Sequence, residues 1–396
     1  MNDIKEYMSK HYPHIIFKND WKISEHLMYK LGQASAIVKS LEYLPLEPSV
    51  RNKLLNVSLI KGAQATTAIE GNTLSEEEII AISKGDKLPE SRQYLEIEVK
   101  NVLEALNSIF REVVAEGATA YVSNELICSF HRMIGKDLGE HFEAIPGRFR
   151  ENNVHVATYR APEYRYVPEL MKQFCDWLKA EFGFKHDEEQ DFRKSIIEAI
   201  VAHVYIAWIH PFGDGNGRAA RLIEFYLLLR SGMPNICSHI LSNHYNQTRS
   251  EYYRQLDKAG TTRQLTDFIE YAVQGLLDGL DDVLWDVQQH QIANAWKNYV
   301  YEIFDEEQKI NQPKRKRLRL LVLSMDLLKN YTLTELQKTN VDVAAIYRNL
   351  SARTIDRDVD DLVGIGLLTK SEGKYCASIS KLVSCLPRKR HILKAT

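Results

Sequence analysis

Apolar residues recur at intervals of three and four through nearly every long segment of the chain, as in Leu27, Leu31, Ala34 and Val38, and again in Ile97, Val99, Val102, Leu106 and Ile109. That period lines one face of an α-helix, so the pattern predicts a mainly helical, all-α protein. Two stretches depart from it. From Gly147 to Val167, and from Leu367 to Ala377 around Ser371-Glu372-Gly373, alternation between turn-forming residues predicts short β-hairpins. A long amphipathic pattern from about Thr266 to Ile310 runs into Asn311-Gln312-Pro313 and the basic run Lys314 to Arg317, which predicts a domain boundary near residue 313.

Beyond that boundary, a helix from about Arg315 to Lys329, a short one from Thr334 to Lys338, a capped one from Ser351 to Val363 and the second hairpin follow the order of a winged helix. Arg353, Arg357, Lys370 and Lys374 can face DNA. On the same candidate recognition helix, Asp356, Asp358, Asp360 and Asp361 would repel phosphates, which leaves DNA contact and protein docking or dimerisation both open.

The 396 residues carry 51 basic and 53 acidic side chains, a formal net charge of -2, and 44% of them are hydrophobic. This excludes global disorder and a protein that coats nucleic acid by charge alone. Cys128, Cys175, Cys237, Cys376 and Cys385 are odd in number, scattered and without a CxxC pair, so neither a disulfide framework nor a cysteine zinc site is expected. The opening MNDIKEYMSK lacks the apolar stretch of a secretory signal, and no later run reaches the roughly 18 apolar residues of a membrane span. A cytoplasmic protein with no membrane partner is expected.

Candidate chemistry concentrates in His210-Pro-Phe-Gly-Asp-Gly-Asn-Gly-Arg218, followed by Arg221. Upstream, Ile196, Ile197, Ile200, Val201, Val204, Ala207 and Trp208 predict a buried helical face. Downstream, Ala219 to Leu229 is apolar almost all round, with Arg218 and Arg221 three apart and so on one side. Gly213, Gly215 and Gly217 let backbone amides converge at the start of that second helix, where its dipole already favours an anion. Around a polyphosphate, His210 can act as general base and Asp214 as a hard ligand for Mg²⁺. Asn216 can donate to a phosphoryl oxygen, and the guanidinium forks of Arg218 and Arg221 match outer phosphates. Spacing excludes a P-loop, an EF-hand and an HExxH zinc site. A plain glycine turn with a capping Asp would leave two arginines to be buried without anionic partners, at high cost.

These residues resemble the signature of the Fic family, HxFx[DE]GNGRxxR, matched at His210, Phe212, Asp214, Gly215, Asn216, Gly217, Arg218 and Arg221. The resemblance covers roughly residues 20 to 290. It implies a protein adenylyltransferase that moves AMP from ATP to a Ser, Thr or Tyr hydroxyl of a target protein, with Mg²⁺ as cofactor and pyrophosphate released. It assigns His210 as catalytic base, Asp214 as metal ligand and Phe212 as core anchor. Asn216 with Gly213, Gly215 and Gly217 would hold the α-phosphate, and Arg218 and Arg221 the remaining phosphates.

Thr66 to Gly71 fits the family's inhibitory pattern [ST]xxxE[GN] through Thr66, Glu70 and Gly71, which implies autoinhibition through pairing of Glu70 with Arg221. The plainer account of that stretch is a helix end with a surface Glu and a glycine C-cap. Gly147 to Pro168 corresponds to the family's flap, which aligns a target segment by strand addition. Arg148 and Arg150 are expected to be solvated or structural, and His203 to be a core histidine. The implied organisation is an N-terminal helical region with the inhibitory motif (1–112), a Fic core (113–290), a helical linker (291–312), a winged helix (313–380) and a basic tail (381–396). Relatives that remove AMP with the inhibitory Glu positioning water, or that transfer phosphate, remain open. So do a nucleotide-sensing DNA-binding regulator, self-modification and a homodimer.

Overall fold

Several helix starts are fixed by side chains that satisfy the unpaired amides of the first turn. Ser24 Oγ accepts from Leu27 N, Ser123 Oγ from Leu126 N, and Asn340 Oδ1 from Val343 N. Ser75 with Glu78, and Thr332 with Glu335, form reciprocal capping boxes. The structure, a computed structural model, describes residues 2–117, 120–156, 159–183, 191–307 and 310–383. Cys385 and the basic tail from 384 lie outside them.

In chain order the helices are α1 (Asn2–His11), α2 (Glu25–Tyr43), α3 (Pro48–Ala68), α4 (Glu76–Ser83), α5 (Gln93–Phe110), α6 (Asn124–Ile134), α7 (Val167–Phe182), α8 (Phe192–Ile209) and α9 (Asn216–Arg230). They continue with α10 (Ile240–Gln247), α11 (Arg249–Thr262), α12 (Thr266–Glu306), α13 (Gln312–Leu323), α14 (Leu333–Leu336), α15 (Val341–Arg348), α16 (Ala352–Gly364) and α17 (Ser380–Val383). Two antiparallel hairpins accompany these helices. β1 (His155–Val156) pairs with β2 (Tyr159–Arg160), and β3 (Leu368–Ser371) with β4 (Lys374–Ala377). No helix among the described residues is long and apolar enough to cross a membrane.

The described residues up to Leu284 form one compact unit and those from Trp285 a second. Within the first, α8 and α9 are the most closely packed pair, and α3, α5 and α6 pack on α9. Residues on both sides of position 112 share this unit. Every residue of α9 is buried except Gly217. Side chains such as Leu222, Ile223, Phe225 and Leu228 are each worth about 1.5–3 kcal/mol over exposure, so the helix is fixed by its surroundings rather than by propensity. At its far end Arg230 grips Glu198 of α8 through both carboxylate oxygens, at 2.7 and 2.6 Å.

The second unit has its own core, in which Trp296, Val300 and Phe304 from α12 join Leu318, Leu321, Val322, Val359, Leu362 and Leu367. The two compact units part between Leu284 and Trp285, upstream of Pro313. Asn311 and Pro313 instead cap and open α13. The element order keeps the expected helices and hairpin, but α15 is additional and α13 ends at Leu323. Asp358 is buried and takes Arg317 at 2.6 and 2.8 Å and Tyr347 Oη at 2.8 Å, and Asp361 pairs with Lys314. These two acidic groups are therefore neutralised internally, leaving Asp356 and Asp360 exposed beside Arg353 and Arg357. A chain ending at residue 312 is expected to expose Trp296, Val300 and Phe304 and to associate in gel filtration, whereas one ending at Leu284 stays monodisperse.

Candidate functional site

The helix α8 stops because His210 turns left-handed (φ 52°), an uncommon state for a residue with a Cβ and one that aims its ring out of the helix line. The turn that follows is held from inside. Asn216 Oδ1 accepts from Phe212 N at 2.8 Å and its Nδ2 donates to Phe212 O at 2.9 Å. One amide hydrogen of Asn216 is therefore spent on the turn, leaving the second for a ligand. Gly215 is left-handed (φ 76°), and a Cβ on Gly213 would press on Glu143 O at 2.6 Å. Both glycines are demanded by backbone geometry.

Half-buried His210 has its pKa lowered to about 4, chiefly by desolvation, so the ring is neutral near pH 7. Its Nδ1 lies 3.3 Å from Ala207 O, and a carbonyl can only accept. The proton therefore sits on Nδ1, leaving Nε2 with a free lone pair. Asp214 is partly open to solvent, with 32% of its side chain exposed. Its Oδ1 accepts from Gly215 N and from Arg218 Nη2.

Arg218 and Arg221 lie one turn apart at the buried start of α9. Arg218 Nη1 is 2.5 Å from Glu98 Oε1, and its guanidinium sits 5.3 Å from the centre of the Phe142 ring. Arg221, 1% exposed, donates through Nη2 to Thr66 O at 2.9 Å and to Glu70 Oε1 at 2.5 Å. Its Nε and Nη1, and Arg218 Nε, are buried without a hydrogen-bond partner among the described residues. Guanidinium hydrogens left in this way are an unmet demand for acceptors.

Glu70 reaches this place because α3 ends beside the start of α9. Gly71 takes a positive φ (106°) just past the helix, and Asn72 then donates to Leu95 O at 3.1 Å and Glu98 Oε2 at 2.8 Å. Burial opposes the Glu70 charge, but Arg221, with help from Arg218, holds its carboxyl below the usual range. Its Oε1 lies so close to Gly217 that a Cβ there would collide with it. An anionic oxygen thus rests on the N-terminal turn of α9, where exposed amides and the helix dipole favour one.

The flap is pinned to the same turn. Buried Arg150 donates to three carbonyls, His210 O at 2.8 Å, Asn152 O at 2.8 Å and Pro162 O, while its own amide donates to Pro211 O at 2.9 Å. Tyr159 Oη donates to Trp208 O at 2.8 Å. His131 bridges from α6, its Nε2 2.9 Å from Asp214 O and its Nδ1 2.9 Å from Gly147 N. A cavity of about 350 Å³ opens between the flap entry and Gly213.

The structure joins Glu70, through its carboxylate, and Thr66, through its carbonyl, to Arg221 at the turn, while Gly71 ends the helix beside them. His203 is a core residue as expected, fully buried with Nε2 2.9 Å from Tyr252 Oη. Arg150 is structural. Glu98, His131 and Asn72 carry the site without having been singled out. A signal existed for two of them. Glu98 falls on the apolar face of Leu95 and Val102, and His131 on that of Ile127 and Ile134, and a polar group on a buried face needs a partner.

The sequence profile of the Fic/DOC family matches residues 121–228. Over 210 residues, 53% of this chain and 38% of the relative, the chain is 31% identical to protein adenylyltransferase fic-1 of Caenorhabditis elegans. Over 216 residues, 54% of this chain and 46% of the relative, it is 28% identical to protein adenylyltransferase Fic of Nematostella vectensis. The chain thus spans less than half the length of these two curated relatives. Among solved structures, a Fic family protein from Desulfovibrio desulfuricans G20 superposes with a TM-score of 0.55 at 19% identity, covering 91% of this chain and 98% of that one. Fic-1 (residues 134–508) of C. elegans gives a TM-score of 0.54 at 24% identity, covering 66% and 72%. With the signature from His210 to Arg221 near the C-terminal end of the matched segment, the chain carries a Fic/DOC-family domain at residues 121–228.

Proposed function

We propose that this protein is a self-inhibited adenylyltransferase that moves AMP from ATP to a hydroxyl side chain of a target protein. The observation that carries this reading is the convergence, at one helix start, of a neutral His210 with a free Nε2 and buried guanidinium groups whose remaining hydrogens lack acceptors. Triphosphate oxygens would supply those acceptors. The curated relatives are named protein adenylyltransferases, which supports the same donor and product.

In the proposed step, the acceptor hydroxyl oxygen forms a bond to the α-phosphorus and its proton passes to His210 Nε2. The bond from the α-phosphorus to the bridging oxygen breaks, and pyrophosphate leaves with the electron pair. Arg218 and Arg221 neutralise the charge that builds on the leaving phosphates, and the amides at the start of α9 face the reacting phosphoryl group. Arg150 and Tyr159 keep the flap over the turn, so that β1 and β2 can add a target strand to the hairpin edge.

A metal would be held by Asp214. Its carboxylate is partly exposed beside the turn, and the described residues contain no cluster of three metal-ligating side chains. That donor set fits Mg²⁺, which takes one carboxylate with phosphate oxygens and water. When bound, the ion would offset phosphate charge and orient the α-phosphate. Asp214→Ala is expected to lower transfer by at least about 100-fold and abolish its Mg²⁺ dependence. An unchanged metal titration would sink the assignment.

Incubating the Glu70→Gly protein and wild type with Mg²⁺ and ATP labelled on the α-phosphate, then weighing the intact chain, tests the whole reading. A mass increase equal to AMP is expected. An increase equal to phosphate would assign phosphoryl transfer instead, and no adduct on itself or on proteins of its own cell extract would refute it.

A further inference from the structure

His131 is fully buried, and its ring lies flat on Phe212, with centroids 3.6 Å apart and planes within 3°. Packing alone would be served as well by phenylalanine. Instead both ring nitrogens are used, on two segments far apart in sequence. The Gly147 amide can only donate, so Nδ1 is the acceptor; the Asp214 carbonyl can only accept, so Nε2 carries the proton. Those partners fix a single neutral tautomer. Gly147 has φ 79°, and a Cβ there would press on Arg132 at 2.9 Å, so the chain enters the flap through a conformation suited to glycine.

From this geometry we infer that His131 is a positioning residue for AMP transfer. It holds the peptide of Asp214, and with it the carboxylate facing the proposed metal, in fixed register with the entry of the flap that aligns the target. The inference rests on the adenylyl-transfer reading above. A bridge of this kind acts on geometry rather than on affinity, and displacement of reacting groups by about 1 Å can cost on the order of 100-fold in rate.

The test uses the full chain in the Glu70→Gly background. His131→Phe keeps the stack on Phe212 and removes both hydrogen bonds, while His131→Gln restores a donor near the Nε2 position. For His131→Phe, kcat is expected to fall about 30-fold or more, with ATP affinity within about threefold of the parent and a higher Mg²⁺ requirement. The Gly147 amide should exchange its hydrogen faster, and His131→Gln should recover at least about a third of the parental rate. Should His131→Phe lose its cooperative thermal transition, His131→Asn, which keeps an acceptor for Gly147 and loses the donor to Asp214, is judged by the same rate and affinity criteria.

A variant kcat within about threefold of the parent, a loss matched by equal loss of ATP affinity, or no recovery with Gln would overturn the inference. An inactive Glu70→Gly parent would instead overturn the transfer reading, and His131's part in it, which separates the two failures.

Discussion

Glu70→Gly is expected to raise AMP transfer, self-modification included, by at least about tenfold at saturating Mg-ATP. Glu70 Oε1 occupies Arg221 Nη2 at 2.5 Å and lies against Gly217, on the helix start where a phosphate would otherwise rest. ATP meeting that carboxylate must either displace it or bind with its outer phosphate elsewhere, and a misplaced outer phosphate turns the α-phosphate out of line with the attacking hydroxyl. Such errors cost on the order of 100-fold in rate. Stability without nucleotide should fall at the same time, because Arg221 would remain buried with Thr66 O as its hydrogen-bond partner. Added ATP should stabilise the variant more than wild type, since it replaces the lost acceptor. A faster enzyme that is less stable when empty is the pattern that release of an internal blocker produces.

Arg221→Ala should not reproduce the gain, because it removes the phosphate ligand together with the partner of Glu70, and the double variant should stay inactive. Acid should not relieve the block either. The Glu70 pKa is depressed, so the charged pair persists as pH falls through the ordinary carboxylate range and is lost only below it. Equal transfer rates for wild type and Glu70→Gly, both folded, would reduce Glu70 to a polar residue at a helix end.

His210→Ala in the Glu70→Gly background is expected to lower transfer by at least about 100-fold, the usual worth of a positioned general base. ATP affinity should be largely kept, since the guanidinium groups and the α9 amides come from the turn after His210. Because residue 210 sits at φ 52°, His210→Asn is the better control, asparagine tolerating the left-handed region that alanine does not. Both variants should fail alike if the ring nitrogen matters and the backbone does not. The pH profile offers a separate check. With the free-enzyme pKa lowered to about 4, kcat/KM should stay level from neutral pH down to about 5 and fall only toward 4, the base being active when unprotonated. Residual transfer near the parental rate in either variant would remove His210 from the role of base.

Much of the helical frame was legible in the chain because its signals are local. The three-and-four spacing of Leu27, Leu31, Ala34 and Val38 places these residues on the buried face of α2, and Ser75 with Glu78 marks the start of α4 through contacts three residues apart. The turn from His210 to Arg218 was readable for the same reason. Its glycines, its acid and its arginines lie within one loop and the helix it starts, so the spacing of the letters is nearly the spacing of the groups. Asn311 and Pro313 have the composition of a linker, yet they cap a helix, and the chain divides near Leu284 because the aromatic residues of α12 belong to the second core.

The residues that shape the site from a distance were decided only by packing. Glu70 and Arg221 are 151 positions apart, Glu98 and Arg218 120, and His131 and Asp214 83. No periodicity links such pairs, because an ion pair or a buried hydrogen bond depends on where two helices cross and not on the path between them. The resemblance to a family motif pointed to Glu70 as the partner of Arg221. For Glu98 and His131 the sequence held at most a polar residue on an apolar face, and their partners became definite once α5 and α6 closed around α9; those of Arg150 became definite once its loop lay on the turn after α8. The chain by itself determined the helices and the chemistry of the turn, since those rest on neighbours in sequence. Tertiary structure decided which side chains restrain that chemistry, since a buried guanidinium such as that of Arg221 needs an anionic partner and only the crossing of helices brings one to it.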